Sequence, residues 1–270
     1  VSTALPSECD FPVCEEPHLE EEDFTGYGGE FYDNISGKEL DSNLVREARK
    51  LELETIDKMG VWEVVPRPLG VKVIGSRWVD INKGDESAPS YRSRLVAKEI
   101  RIRGDSPGFE YFAAMPPLAC LKMLIAIWMT ARLIGLDFFV RWQKPNVVMS
   151  FVDVKRAHFV SMATRELYVE LPAESGVTEH VVARLLKSMY GTRDAGKNWE
   201  LEVRRVLLLL GFLQGVANPC VYFHPVREIR LMVHGDDFIS LAVITDLQWM
   251  HREMAKHWDV VVRGILGPRT

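Results

Sequence analysis

The sequence predicts an α+β fold, an antiparallel sheet backed by helices. Three observations predict it. Helix-spaced apolar segments with capping residues stand between short strand-like runs. Two pairs of those runs flank a glycine-containing polar tip, the pattern of a hairpin. The order is grouped (helix–strand–strand, helix–strand, strand, helix–hairpin, helix–strand) and does not alternate strictly.

Asp41-Ser42-Asn43 caps a helix running to about Met59, with Leu44, Ala48, Leu51 and Thr55 on one face and Gly60 as its stop. Val61-Trp-Glu-Val-Val65 is a short strand ended by Pro66. Val71 to Ile81 and Tyr91 to Ile102 form a hairpin around Asn82–Pro89. Arg92, Arg94 and Lys98 fall on one face of its second arm at period two. Such a face either holds phosphates or is simply solvated.

Pro116-Pro117 opens a helix that continues to about Leu133 and stops at Gly135, with Leu118, Leu121, Leu124, Ile125 and Trp128 as its buried face. Val147 to Val154 is apolar almost throughout and reads as a strand buried on both faces. Asp153 interrupts it, which calls for a base such as Lys155 or Arg156, or for a metal ion. Arg165 to Leu171 is a further strand, and a helix runs from about Ala195 to Leu210, stopped by Gly211. Val221 to Val233 leads into a turn with Asp236 and Asp237, and Phe238 to Val243 returns from it. A helix from Asp246 to His257 and a strand from Trp258 to Ile265 complete the chain.

The 270 residues suffice for one large domain or two modest ones. Residues 1–45 hold about twelve acids and one base, Lys38, so they carry roughly −11 and read as a disordered linker. The whole chain is −5, which leaves roughly +6 on residues 46–270, a body suited to a polyanion partner or an ordinary soluble surface. No apolar run spans a bilayer, because Leu118 to Leu136 is broken by Lys122 and Arg132, and no membrane partner is expected. Four cysteines without a C-x-x-C pair suit a reducing compartment better than a metal site built on Cys9, Cys14 and His18. The chain starts without Met and reads as a fragment.

The chemistry centres on Val233-His-Gly-Asp-Asp-Phe238. Asp and Gly both suit plain surface turns. Yet side chains alternate along a strand, so two adjacent carboxylates cannot share one core and would be steadied by a cation. In an antiparallel sheet the Asp153 strand can lie beside this hairpin and bring three carboxylates to one edge. Carboxylates facing a basic surface are what two-metal phosphoryl transfer requires.

In order along the chain stand Val61-Trp-Glu-Val-Val-Pro66, Val73-Ile-Gly-Ser-Arg-Trp-Val79, Tyr91-Arg-Ser-Arg-Leu-Val-Ala-Lys98, Phe151-Val-Asp-Val-Lys-Arg-Ala-His-Phe159, Leu185-Leu-Lys-Ser-Met-Tyr-Gly191 with Trp199, and Val233 to Phe238. Together these blocks resemble the reverse transcriptase domain of copia-type (Ty1/copia) retrotransposon polyproteins, from about Val61 to the C-terminus. The resemblance implies a right-hand polymerase with fingers at about 61–115, palm at about 116–270 and a thumb absent or incomplete. It implies that Asp153, Asp236 and Asp237 hold two Mg2+ ions, with Mn2+ as a substitute and Asp237 in support. Arg92, Arg94, Lys98, Lys155, Arg156 and His158 would bind the deoxynucleoside triphosphate. Tyr190, Gly191, Asp194, His234 and Gly235 would face an RNA or DNA template-primer. The implied neighbours are an integrase upstream and a ribonuclease H downstream in one polyprotein, and the implied location is intracellular, in a cytoplasmic virus-like particle or the nucleus.

The chain departs from the family pattern at several positions. His158 stands where an aromatic ring usually excludes the ribose 2′-hydroxyl. His234-Gly235 replaces the usual Tyr-x before the two acids, Asp194 replaces a Gln, and Gly196 a Pro. A negative charge at Asp194 beside the nucleotide would weaken its binding, so Asp194→Gln is expected to raise nucleotide affinity. Two other functions compete with an RNA-directed DNA polymerase. Gly-Asp-Asp is also the signature of RNA-dependent RNA polymerases, and the departures suit a catalytically impaired remnant that folds and binds nucleic acid.

Overall fold

The computed structural model describes residues 30–85, 87–99, 111–133, 147–177 and 180–267, the side chains of 131–133 excepted. The expected stop at Gly135, the hairpin's end at Ile102 and the acidic residues 1–29 lie outside these residues. The architecture is α+β and largely antiparallel, as the sequence predicts.

The first described elements are β1 (Phe31–Tyr32) and β2 (Glu39–Leu40), paired antiparallel. Phe31, Leu40 and Val45 form a small core of their own with Tyr91 against it, and the Asp33 carboxylate accepts from the amides of Ile35, Ser36 and Asn82. Residues 30–45 thus belong to the folded body and not to the acidic linker: three apolar side chains and a turn-capping carboxylate outweigh their charge.

Helix α1 (Ser42–Met59) starts at Asp41, whose carboxylate accepts from the amides of Asn43 and Leu44, and ends on Gly60 at φ 60°. Its buried face is Val45, Arg49, Glu52 and Ile56, one residue round from the face expected from the apolar pattern; Leu51 is exposed. The cause is electrostatic. The Arg49 guanidinium is held by Asp80 at 2.5 Å and Glu174 at 2.5 Å, and stacks over the rings of Phe31 and Trp78. A cation so paired is buried without being apolar.

Strand β3 (Trp62–Pro66) follows, then β4 (Val73–Ile74), β5 (Ser76–Asn82) and β6 (Tyr91–Ala97). β5 and β6 form the expected hairpin, with Ser93, Leu95 and Ala97 buried and Arg92 and Arg94 on the other face. Helix α2 (Leu118–Leu133) packs on the sheet described next through Leu121, Leu124, Ile127 and Trp128. Leu118 and Ile125, expected in that face, are exposed. The helix is apolar nearly all round, so periodicity does not mark which side meets the sheet.

The remaining elements are β7 (Val147–Val154), β8 (Tyr168–Val169), β9 (Val181–Leu185), α3 (Ala195–Leu209), β10 (Leu213–Gln214), β11 (Val221–His224), β12 (Ile229–His234), β13 (Asp237–Val243), α4 (Ile244–Met254) and β14 (Val260–Leu266). Only two residues of the expected Arg165–Leu171 strand pair. The expected run from Val221 to Val233 is two strands, broken by a turn that closes on Glu228 at φ 55°.

A six-stranded antiparallel sheet runs β10-β11-β12-β13-β7-β14. Helices α3 and α4 cover one face through Trp199, Val203, Val206, Leu207, Leu247, Met250 and Met254, and α2 covers the other. β7 lies inside this sheet with helices on both faces, which is why its sequence is apolar at successive positions. A second sheet, β3-β9-β8-β4, shares a core with α1 and the β5–β6 hairpin. Among the described residues no helix is long and apolar enough to cross a membrane.

Candidate active site

The carboxylates meet at one end of the six-stranded sheet. The β12–β13 hairpin closes on Gly235 and Asp236, with His234 and Asp237 as its last pair. Gly235 takes φ 62°, which a two-residue hairpin loop requires at its first position and glycine adopts without strain. Asp237 lies directly opposite Asp153 on β7, so both side chains leave the same face. The Val154 amide donates to the Asp236 carbonyl at 3.0 Å. The three acids therefore lie near one end of the sheet, at the ends of interior strands and not along an edge. Burial, with Asp236 and then Asp153 beside it, pushes the Asp237 carboxyl above its ordinary pKa.

Asp153 pairs with neither Lys155 nor Arg156. Its Oδ2 accepts from Arg263 Nη2 at 2.6 Å. Arg263 stands on β14, 110 residues away in sequence, where the β14–β7 register shifts between Val262 and Gly264. Lys155 instead approaches Asp259 at 3.5 Å, and Arg156 approaches the buried Glu52 at 3.8 Å. Arg156 itself has φ 53°, an uncommon conformation for a side-chain-bearing residue.

Lys83 of the hairpin lies within electrostatic reach of this end of the sheet. Lys83, on the β5–β6 loop, is held below the usual lysine range mainly by Arg92, then by burial, Arg94 and Arg263, while Asp153 opposes the shift. Burial, then Arg94, lowers Arg92 as well, and Arg94 lies over the Tyr190 ring at 4.9 Å. A small cavity of about 70 Å³ is lined by Glu52, Arg92, Arg156 and Tyr190 among others. Lys98 leaves the hairpin at its base: its amide donates to the Gly75 carbonyl, and its side chain runs over Gly75.

His158 packs edge-on against Tyr190 with centroids 5.1 Å apart, and its Nδ1 is buried without a hydrogen-bond partner. Burial lowers its pKa, against the pull of Asp236. Gly191 adopts φ 84° under the hairpin, where a Cβ would lie 2.0 Å from the Ala97 carbonyl oxygen. His234 and Gly235 are exposed at the carboxylate turn.

Asp194 is not a bare charge. It is 4% exposed, accepts from Arg165 at 2.8 Å and from Asn198 at 3.1 Å, and Arg165 also forks onto Glu99. Burial alone would raise its pKa, but the bonds from Arg165 outweigh that and lower it. Its charge is thus met by Arg165 inside the fold.

The sequence reading missed Arg263 and Lys83. Lys83 carried a usable signal, a base at the tip of a cation-bearing hairpin; Arg263 sits in a run of valines that signals only a strand. Carboxylate oxygens are hard donors that suit a divalent cation. Among the described residues, however, no three His, Cys, Asp or Glu side chains converge closely enough to hold a metal as they stand. The donor chemistry fits while the geometry is open, with Asp153 drawn to Arg263.

Residues 59–266 match the family described as reverse transcriptase (RNA-dependent DNA polymerase). The chain belongs to that family, on its retrotransposon Pol branch, as the copia-type blocks implied. It is 26% identical over 206 residues to the retrovirus-related Pol polyprotein from transposon TNT 1-94 of Nicotiana tabacum, covering 74% of this chain and 14% of that one. It is 29% identical over 201 residues to the corresponding polyprotein from transposon RE2 of Arabidopsis thaliana, covering 72% and 13%. The chain thus spans about one seventh of the length of these curated relatives. A solved structure, foamy viral protease-reverse transcriptase dRH in complex with ds DNA, overlaps 83% of this chain and 32% of its own at TM-score 0.41 and 10% identity. A likeness that distant bears no weight for the site.

Proposed function

We propose that this chain is the polymerising part of a transposon reverse transcriptase, with the β5–β6 hairpin as fingers and the six-stranded sheet as palm. The observation that carries the reading is the direct pairing of Asp153 with Asp237, with Asp236 bonded in beside them, beneath a hairpin bearing Lys83, Arg92 and Arg94. Asp153 and Asp236 would be the principal ligands of two divalent ions, magnesium or manganese, with Asp237 in support. Held there, such ions would supply the positive charge that lowers the pKa of the primer hydroxyl and offsets charge on the leaving pyrophosphate. Arg92 and Arg94 bind the triphosphate of a deoxynucleotide as fixed cations, with Lys98, Lys155 and Arg156 near its path. Tyr190 and His158 form the floor beneath the nucleotide sugar, and Gly191 and His234 border the template-primer. In a longer polyprotein, integrase would precede this segment and ribonuclease H follow it.

The test is magnesium-dependent extension of a primed RNA template by the wild type and by Asp236→Asn. Extension with deoxynucleotides that the substitution abolishes supports the reading. Extension with ribonucleotides alone would make the chain an RNA-dependent RNA polymerase. A second reading, a nucleic-acid-binding remnant, draws on Asp153 being engaged by Arg263; it prevails if neither protein extends the primer while both bind the template.

A further inference from the structure

We infer that Arg263 is a positioning residue, a latch that holds the Asp153 carboxylate away from the metal site and yields it when a divalent cation arrives. This rests on the proposed metal chemistry of the three aspartates, but it concerns a residue the family blocks do not include.

The geometry carries the argument. Val261 lies opposite Asp153 in the β14–β7 ladder, and Gly264 lies opposite Phe151. In a regular strand that second place belongs to Arg263. The bulge leaves Arg263 as the extra residue, free of the ladder, and lets its side chain reach back along the sheet to Asp153. The contact is short, 2.6 Å, and charge-assisted. The two partners differ in setting: the Asp153 side chain is 17% exposed and that of Arg263 62%. The arginine is therefore the partner that can leave, because water receives it at small cost. The aspartate is the partner that stays and needs a cation in its place.

The guanidinium occupies one oxygen of a carboxylate whose residue lies directly opposite Asp237 in the ladder. That accounts for three acids meeting at one sheet end without forming a closed ligand set. A divalent ion placed among the three carboxylates delivers twice the charge and more than one oxygen contact, so it displaces the arginine. The latch keeps the acids from repelling one another in the metal-free protein and sets the metal concentration at which the site closes.

The experiment is Mn2+ binding, followed by the loss of the free-ion electron paramagnetic resonance signal, without nucleotide or template. Five proteins are compared: wild type, Arg263→Gln, Lys83→Gln, Asp153→Asn, and Asp153→Asn combined with Arg263→Gln. Releasing an exposed charge pair predicts that Arg263→Gln binds Mn2+ about two- to fivefold more tightly. Lys83→Gln removes an equal charge near the same carboxylates but no contact to Asp153, so it should change affinity by much less. Placing Asp153→Asn in the Arg263→Gln background should erase the gain. An equal gain from Lys83→Gln and Arg263→Gln would overturn the latch and leave only general electrostatics. Unchanged affinity in Arg263→Gln, with wild-type binding that Asp153→Asn abolishes, would overturn the latch and keep the metal site. Absence of binding in both wild type and Arg263→Gln would remove the metal site and the latch together.

Discussion

The indole Nε1 of Trp199 donates to the carbonyl oxygen of Gly235 at 2.8 Å. A helix on one face of the sheet is thereby fastened to the turn that carries Asp236. Trp199 is 3% exposed and packs edge-on against Trp258 and Phe238, so the indole is held as firmly as the turn it holds. Trp199→Phe keeps a ring in the core and removes the donor. It should cost about 1–2 kcal/mol in urea unfolding, from an unpaired carbonyl and a smaller ring. Primer extension should fall further than that loss of stability explains, because the turn is freed. Extension equal to wild type would show that the turn positions itself.

Asp194→Gln reverses the simple electrostatic expectation. The carboxylate is buried with Arg165, Thr164 and Asn198, and glutamine cannot neutralise the guanidinium. A loss of about 1–3 kcal/mol is expected, part of the pair remaining through Glu99. Isothermal denaturation reads it, and nucleotide affinity should not rise. A gain in affinity with no loss of stability would restore Asp194 as a charge facing the nucleotide.

Gly191→Ala tests the seam between β6 and the loop before α3. A Cβ there would meet the Ala97 oxygen at 2.0 Å and Val96 Cγ1 at 2.6 Å, at a φ of 84°. Overlap and backbone strain together predict a loss of about 3 kcal/mol or more. Gly176→Ala, at φ 67° with open space around it, should cost only about 1 kcal/mol. Comparable melting temperatures for the two variants would refute the close approach.

Three histidines are expected to lower stability in acid. Burial depresses the pKa of His158, His224 and His251, and His251 Nε2 lies 3.0 Å from the buried Ser150 hydroxyl. A depressed base binds its proton more readily in the unfolded chain. Stability is therefore full above the unfolded value of about 6.5 and falls as pH drops toward the folded values. Melting temperature should decline from about pH 6.5 downward, before most carboxylates titrate. His251→Gln, which keeps a polar group facing Ser150, should flatten part of that slope; an identical slope would exclude His251 as a contributor.

Much of this molecule was legible in its sequence because the deciding interactions are local. Asp41 caps α1 through amides two and three residues on, and Gly60 ends it in its own turn. Gly235 makes the carboxylate turn from its own φ. The apolar run of β7 announces a strand covered on both faces. The face of α1 was not legible in the same way: Arg49 and Glu52 are charged, and hydrophobic periodicity places charges outside. Their burial depends on Asp80, Glu174 and Arg156, brought near only by folding.

The candidate site divides along the same line. Asp153, Asp236 and Asp237 could be named from residue type, spacing and family blocks, since strand alternation and hairpin closure are set by near neighbours in the chain. What holds those carboxylates was decided by the tertiary structure alone. Arg263 reaches Asp153 across 110 residues because a bulge in β14 frees it from the ladder, and Trp199 reaches Gly235 because α3 packs across the sheet. Residue type and period specify which groups a strand presents, whereas the partner each group meets follows from sheet order and register, which close only when the whole chain folds.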